Sequence, residues 1–224
     1  MAGNIQVDLG AALERCSGDT ELLSQVVTET MEKAQAEQVP KIRSAMADGD
    51  VKEVHFHAHS IKGASATIGF LSLSAAAKEL DDLVKGESLA GAEPLVDNLE
   101  TELKRALDYY QKHCEAQAEA LERCGGDTEL FNQISKEMVS DVIPGQLEAL
   151  EAAVLSGDAP AVDAGGRQLL DAAETIGAFN LMALAKPMID KAEAGSLDGS
   201  AEALEEVKAE IERVTAYWDN LEDE

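Results

Sequence analysis

Residues Val51–Ile68 read VKEVHFHAHSIKGASATI, and this stretch decides the fold because its apolar side chains recur at helical spacing. A Gly-Asp pair precedes the segment and is typical of a turn that caps a new helix, and Gly69 follows as a typical helix stop. At about 100° per residue, one stripe of this helix is apolar and suited to packing against other helices. The stripe consists of Val54, Ala58, Ile61, Ser65 and Ile68.

The segments on both sides of this helix also have helical character. Asp19 is placed to cap a helix from Thr20, and Pro40 is placed to kink that helix. A third helix is predicted from about Ser72, and a fourth follows a loop at residues 86–91. The predicted buried positions are Leu73, Ala77, Leu80 and Val84 in the third helix, and Leu95, Leu99, Leu103, Ala106 and Tyr110 in the fourth. Short connections make sequential helices antiparallel neighbours, which predicts an all-α, up-down four-helix bundle.

An internal repeat extends this prediction to the whole chain. LERCSGDTEL at Leu13–Leu22 returns as LERCGGDTEL at Leu121–Leu130, an offset of 108 positions. About 30 of roughly 100 aligned positions are identical without a gap. This spacing is too long for a solenoid unit and suits a small domain. We predict two tandem bundles, residues 1–113 and 114–224, joined by a helical linker because residues 111–123 lack Pro and Gly.

The composition excludes several classes of partner. The 224 residues include 44 acidic and 18 basic side chains, for a formal net charge of −26. Nucleic acids and anionic membrane surfaces attract clustered Lys and Arg, so we expect neither as a partner. Aromatic residues make up only 4% of the chain, which favours helices over strands.

The cysteines and the N-terminus predict a cytoplasmic protein. Cys16, Cys114 and Cys124 are odd in number and lack CxxC spacing, so we expect buried, reduced thiols rather than disulfides or a zinc site. The start of the sequence, MAGNIQVDLG, has neither the basic region nor the apolar run of a signal peptide. No apolar stretch has the length needed to span a bilayer.

One face of the second helix carries the residues most suited to chemistry. Of the four histidines, His55, His57, His59 and His113, only His59 points directly away from the apolar stripe. An exposed imidazole is a nucleophile, a lysine one turn later balances phosphate charge, and a small residue leaves room for a second protein. The residues that share the face of His59 are His55, Phe56, Lys62, Gly63 and Ala66.

The third helix can contribute a partner for this imidazole. Lys78, Asp81 and Lys85 fall on one face of it, at spacings i, i+3 and i+7. We predict that Asp81 accepts a hydrogen bond from Nδ1–H of His59. Such a bond leaves Nε2 unprotonated and available for attack.

Ala58–Phe70, AHSIKGASATIGF, resembles the signature of histidine-containing phosphotransfer (HPt) domains, H-x-[LI]-K-G-[SAG]-x-x-x-[LIF]-G. The resemblance is strongest to the phosphotransfer domain of chemotaxis histidine kinases, and it extends to the GDTELL helix start and to the acidic position in KELDDL. It implies that His59 accepts phosphate, that Lys62 assists it and that Asp81, one methylene shorter than the family's Glu, orients the imidazole. Lys78 would border the site. The implied docking surface consists of His55, Phe56, Gly63, Ala66 and Lys85.

The resemblance also implies a phosphocarrier of two-component signalling with no ATP site and no cofactor of its own. Phosphate would pass between His59 and the aspartate of a response-regulator receiver, or arrive from a histidine kinase. The magnesium ion that such transfers need would belong to the kinase or the receiver. The sequence leaves the oligomeric state open.

The second repeat departs from this pattern at every position that carries the chemistry. The replacements are Arg167 for His59, Leu170 for Lys62, Asp171 for Gly63 and Ile189 for Asp81. Arginine cannot form a phosphoramidate, so we predict a pseudo-phosphotransfer domain that serves structure, dimerisation or partner binding.

Two other functions remain open from the sequence alone. Both repeats could form a non-catalytic helical scaffold that binds receiver or kinase domains. Alternatively, His55 and His59 stand at i, i+4, a spacing that can bind zinc on a helix. No third ligand stands at a recognisable spacing, so we expect no metal site.

Overall fold

The computed structural model describes residues 5–220, and this part of the chain is all-α, as predicted. Its only β-type pairing is an isolated bridge between Val7 and Phe70. The chain divides into two compact units between Tyr110 and Gln111, close to the predicted boundary at residues 113 and 114.

The first unit consists of six helices, the last of which continues into the second unit. They are α1 (Leu9–Arg15), α2 (Thr20–Lys33), α3 (Val39–Asp48), α4 (Val51–Thr67), α5 (Leu71–Val84) and α6 (Glu93–Arg123). Aspartates begin three of them, because the side chains of Asp8, Asp19 and Asp50 each accept a hydrogen bond from a backbone N–H of the first turn. The predicted caps at Asp19 and Asp50 are therefore confirmed, whereas α1 was not predicted.

Helices α4 and α5 pack side by side and form the part of the first unit that matters most for function. Every residue of the predicted apolar stripe on α4 is buried, and so are the four predicted positions on α5. Gly69 makes the turn between these helices at φ +80°, and a Cβ there would lie 2.1 Å from the carbonyl oxygen of Asp8. Only glycine permits both this backbone conformation and this close approach.

The predicted core face of α6 is wrong at both ends. Leu95 and Tyr110 are only half-buried, and their neighbours Val96 and Tyr109 are buried instead. At each of these two places, two large side chains are adjacent in the sequence, and the sequence does not show which of them faces the core. The ring of Tyr109 packs edge-on against Phe70, while the hydroxyl of Tyr110 lies 3.0 Å from Ser24 Oγ in a hydrogen bond near the surface.

A π-helical turn interrupts the first long helix of each unit. Ala34–Gln38 joins α2 to α3, and Met138–Val142 occupies the corresponding place in the second unit, one helical turn earlier than the repeat offset puts it. Pro40 and Pro144 fall in the first turn of the helix that follows, where a missing N–H is tolerated. The helix that begins at Thr20 is therefore interrupted just before Pro40, and Pro40 itself lies in the first turn of α3.

The second unit repeats the helix order of the first. Its helices are α7 (Thr128–Glu137), α8 (Ile143–Ser156), α9 (Ala159–Thr175), α10 (Phe179–Glu193) and α11 (Ser200–Asp219). The counterpart of α1 is the C-terminal end of α6, so the predicted helical linker doubles as the first helix of the second unit. Arg15 on α1 donates to the carbonyl oxygen of Thr67 at the end of α4, and Arg123 donates to that of Glu174 at the end of α9.

The cysteines differ from the expectation of buried thiols. Cys114 is exposed, and Cys16 and Cys124 are half-buried, with no disulfide among residues 5–220. Cys114 lies on α6. Within the same residues, every helix is too short or too polar to cross a membrane.

Candidate functional site

Helix α4 presents His59 to solvent, as predicted. Its side chain is 62% exposed, and Phe56, one turn earlier along the helix, is 64% exposed. Gly63 is exposed on the same face, while His55, Lys62 and Ala66 are half-buried. The hydroxyl of Ser74 on α5 donates to the carbonyl oxygen of Lys62 at 2.9 Å, which fixes α5 beside this part of α4.

Asp81 lies on α5 with its side chain completely buried against α4. Lys62 Nζ donates to its Oδ2 at 2.6 Å, and Lys85 Nζ lies 3.0 Å from the same oxygen. Burial raises the pKa of Asp81, but the hydrogen bonds and charges of Lys62 and Lys85 outweigh burial and hold this pKa below its ordinary value. The carboxylate is therefore ionised at neutral pH.

Two groups of opposite character face Nδ1 of His59. Lys62 Nζ lies 3.1 Å from this nitrogen and can only donate a proton to it. Asp81 Oδ1 lies 3.5 Å from it, longer than a typical hydrogen bond, and can only accept. A proton on Nδ1 is therefore drawn to Asp81 and leaves Nε2 as the free nucleophile, whereas a bare Nδ1 pairs with Lys62. The predicted bond between His59 and Asp81 is thus long, and it competes with Lys62.

The structure brings His55 to Asp81, a contact that sequence reasoning missed. His55 Nε2 lies 3.1 Å from Asp81 Oδ1 in a geometry that makes no hydrogen bond, and both atoms are inaccessible to solvent. The ligand atoms of His55, His59 and Asp81 all lie within 4.8 Å of one another. The i, i+4 spacing of the two histidines was visible in the sequence, but their approach to a second helix was not.

A chain of ion pairs continues from Asp81 along α5. Lys78 and Lys85 hold Asp82 at 2.6 and 2.7 Å, and their hydrogen bonds lower the pKa of Asp82 to about 2. Lys78 therefore joins the site through Asp82 and Lys85 rather than by contacting His59. Lys62 is the lysine that contacts His59 directly, and Lys85 and Lys78 follow it through Asp81 and Asp82.

Gly63 leaves the surface beside His59 flat. A Cβ added at this position would meet nothing within 4 Å. The glycine is therefore not required by packing within the first unit, and its small size matters only for what approaches from outside.

The corresponding place in the second unit holds a different arrangement. Arg167 lies where His59 would be, and its guanidinium binds Asp163 at 2.9 Å and Glu193. Ile189 is buried in the place of Asp81, and a Cβ on Gly166 would lie 2.8 Å from its Cγ1. An ion-paired arginine and an apolar contact thus replace the imidazole and the buried carboxylate.

Comparison with known proteins gives one match. Residues 21–111 match the family model of the Hpt domain, a range that contains His59, Lys62 and Asp81 and ends at the boundary of the first unit. The match supports a role in histidine phosphotransfer within phosphorelay signalling. Searches of curated proteins and of solved structures gave no match.

Proposed function

We propose that the first unit is a histidine phosphocarrier in which His59 accepts a phosphoryl group and passes it to or from the receiver aspartate of a response regulator. The observation that carries the proposal is an exposed imidazole whose Nδ1 faces a buried carboxylate and a lysine, inside the range that matches the Hpt domain. Its likeness to chemotaxis-type domains belongs to the same proposal.

The buried carboxylate prepares the nucleophile. With the proton on Nδ1 directed at Asp81, Nε2 attacks the phosphorus of an aspartyl phosphate, the N–P bond forms, and the O–P bond breaks as the partner's carboxylate leaves. The phosphorylated imidazole becomes cationic while both nitrogens are substituted, and the neighbouring Asp81 anion stabilises that charge. The reverse sequence returns the phosphoryl group to a receiver.

The lysines supply the positive charge that a transferring phosphoryl group requires. Lys62 Nζ lies 3.1 Å from the imidazole and can turn from Nδ1 to a phosphoryl oxygen, while Lys85 remains on Asp81. An ammonium in this position stabilises charge that spreads over the equatorial oxygens in the transition state. No cofactor of this chain takes part, and magnesium is expected on the partner.

The face around His59 suits a protein partner. Phe56 offers an exposed apolar side chain next to the nucleophile, and Gly63 lets a second backbone come close. We assign partner docking to this face, with His55, Ala66 and Lys85 at its edges. In the second unit, which lacks an imidazole at the matching position, we propose a bundle that serves structure or partner binding.

The direct test is phosphate transfer to the full chain. Incubation with a labelled, phosphorylated receiver domain should give one phosphate per chain that is labile in acid and stable in base, as expected for phosphohistidine. Peptide mapping should place it on residues 51–67. A folded chain that binds the receiver without taking up label would support the scaffold function instead.

Replacing Lys62 by alanine should slow transfer at least about tenfold, because it removes a positive charge that acts mainly in the transition state. Asp81 keeps Lys85, so the free energy of unfolding should fall by only about 1 kcal/mol. Single-turnover transfer rates and thermal unfolding measure the two effects. Lys52→Ala, on the exposed first turn of the same helix, is the matched control. Equal rates in both variants would remove Lys62 from the mechanism.

Replacing Gly63 by glutamine should weaken receiver binding at least about tenfold without harming the fold. The added side chain meets open space in the first unit, and glutamine is a better helix former than glycine by up to about 1 kcal/mol. It would, however, stand where the partner's backbone approaches. Binding measured by titration calorimetry, with Gly63→Ala as the smaller step, tests this. Unchanged affinity with glutamine would place the docking surface elsewhere.

A further inference from the structure

We propose that His55, His59 and Asp81 form a zinc site, and that zinc bound there blocks the phosphoacceptor. The three ligand atoms are Nε2 of His55, Nδ1 of His59 and Oδ1 of Asp81, and all lie within 4.8 Å of one another. Two imidazoles and one carboxylate are a ligand set that zinc favours in sites that keep a fourth position open.

Two of the three distances between these atoms are close to those of tetrahedral coordination. With zinc–ligand bonds of about 2.0–2.1 Å, adjacent ligand atoms of a tetrahedron lie about 3.3 Å apart. Asp81 Oδ1 lies 3.1 Å from His55 Nε2 and 3.5 Å from His59 Nδ1. The third edge joins His55 Nε2 to His59 Nδ1, which lie within 4.8 Å of each other, and rotation of the exposed His59 ring can adjust it.

Two of the ligand atoms are buried without a hydrogen bond. His55 Nε2 and Asp81 Oδ1 are inaccessible to solvent and have no hydrogen-bond partner among the described residues. The whole side chain of Asp81 is buried. An unpaired buried polar atom costs free energy, and these two atoms lie only 3.1 Å apart. A cation between them would satisfy both atoms at once.

Zinc at this site would disable the nucleophile through its tautomer, a consequence that rests on the proposed function. A neutral imidazole that ligates zinc through Nδ1 carries its proton on Nε2. The lone pair that would attack phosphorus is then absent. Zinc binding and phosphorylation of His59 are therefore mutually exclusive.

Lys62 competes with zinc for Nδ1 of His59. Its ammonium lies 3.1 Å from His59 Nδ1 and must leave this position when the metal enters. A unit charge about 4 Å from a divalent cation in a water-like dielectric changes affinity about thirtyfold, so Lys62→Ala should bind zinc about thirtyfold more tightly. This change is opposite in sign to the loss of transfer rate expected for the same variant.

The test measures metal binding to the full chain without phosphate. Co²⁺ serves as the spectroscopic probe, because four-coordinate cobalt absorbs visible light strongly and surface-bound hexaaqua-like cobalt does not. Competition with Zn²⁺ then gives the zinc affinity. The variants are His55→Gln, Asp81→Asn and Lys62→Ala, with Asp82→Asn as the matched control next to Asp81, and circular dichroism verifies that each is folded.

The proposal expects one tight site, a loss of affinity of at least about tenfold in His55→Gln and Asp81→Asn, and no change in Asp82→Asn. Octahedral spectra, a thiolate-to-cobalt band from a cysteine, or equal affinity in Asp81→Asn and the control would overturn it. His55→Gln alone keeps the test decisive if Asp81→Asn does not fold.

Inhibition is measured separately, so that the two proposals can fail independently. Zinc should lower phosphate uptake in the unmodified chain, a chelator should restore it, and the ratio of uptake with and without zinc should approach one in His55→Gln. Zinc binding without inhibition would overturn the regulatory role. If the protein takes up no phosphate even with chelator present, the proposed function is wrong. The zinc site is then judged by the cobalt spectra alone.

Discussion

Replacing His59 by glutamine is expected to abolish phosphate uptake by the full chain. Glutamine keeps the approximate length and polarity of the side chain but has no nitrogen that can attack phosphorus. The side chain is 62% exposed, so the free energy of unfolding should change by no more than about 0.5 kcal/mol. Labelling by a phosphorylated receiver and thermal unfolding of the same preparation measure the two quantities.

The other histidines make this prediction selective. His57 is buried beside Glu53 and His113 is half-buried, whereas His59 is mostly exposed. His57→Gln is the matched control and should retain labelling if it is folded. Full labelling of His59→Gln would identify another acceptor, and its mapping to His55 would mean that the nucleophile is the neighbour held against Asp81.

The helices of this chain could be predicted because their signals are local. Asp19 and Asp50 cap the helices that follow them, and the apolar stripe on α4 lies within a single helix. The phase of α6 could not be predicted in the same way. Both Tyr109 and Tyr110 pack edge-on against Phe70, and only the packing of the helices decides that Tyr109 is buried while the hydroxyl of Tyr110 reaches Ser24 near the surface.

The first helix was missed for a different reason. Helix α1 spans only Leu9–Arg15, and its position depends on distant contacts of Asp8 and Arg15 with the end of α4. The π-helical turns were also beyond the sequence pattern. The two turns do not lie at positions related by the repeat offset of 108. Each turn instead lies just before the proline of its own unit.

The residues of the site also differ in how far the sequence predicts them. His59, Lys62 and Gly63 lie on one helix at spacings that a helical wheel shows, so their common face follows from the sequence. The partners of Asp81 do not follow from the sequence, because Asp81 lies on α5 and can pair with several groups on α4. Its distances to Lys62, His55 and His59 arise only when the two helices pack.

The second unit provides the other prediction with a large expected effect. The His59→Gln chain removes the proposed acceptor, so label that maps to position 167 in this background comes from a site rebuilt there. We expect Arg167→His alone to give no labelling. The new imidazole would lie near Asp163 and Glu193, which now bind the arginine, and near Asp171, so three acidic groups would remain where phosphate must approach.

Restoration should require the buried partner as well. Ile189 on α10 fills the place of Asp81. It lies so close to Gly166 on α9 that a side chain larger than that of glycine would collide with it. A lone Ile189→Asp would bury an unpaired carboxylate, which is costly. Leu170→Lys supplies one cation for it, and Glu193→Lys, at the position that corresponds to Lys85, supplies the second.

We therefore expect labelling to appear only when five changes are combined in the His59→Gln chain: Arg167→His, Leu170→Lys, Asp171→Gly, Ile189→Asp and Glu193→Lys. Each change removes a group that would repel phosphate or adds a group that surrounds His59 in the first unit. The two new lysines keep the new aspartate ionised, as Lys62 and Lys85 do for Asp81. Labelling of the fivefold variant is compared with that of Arg167→His, with circular dichroism for folding. If the single variant labels as well as the original chain, the carboxylate and cations around the imidazole are unnecessary; if the folded fivefold variant stays unlabelled, they are insufficient. Either result would contradict the mechanism, because it assigns the reactivity of His59 to Asp81 and the lysines that hold it.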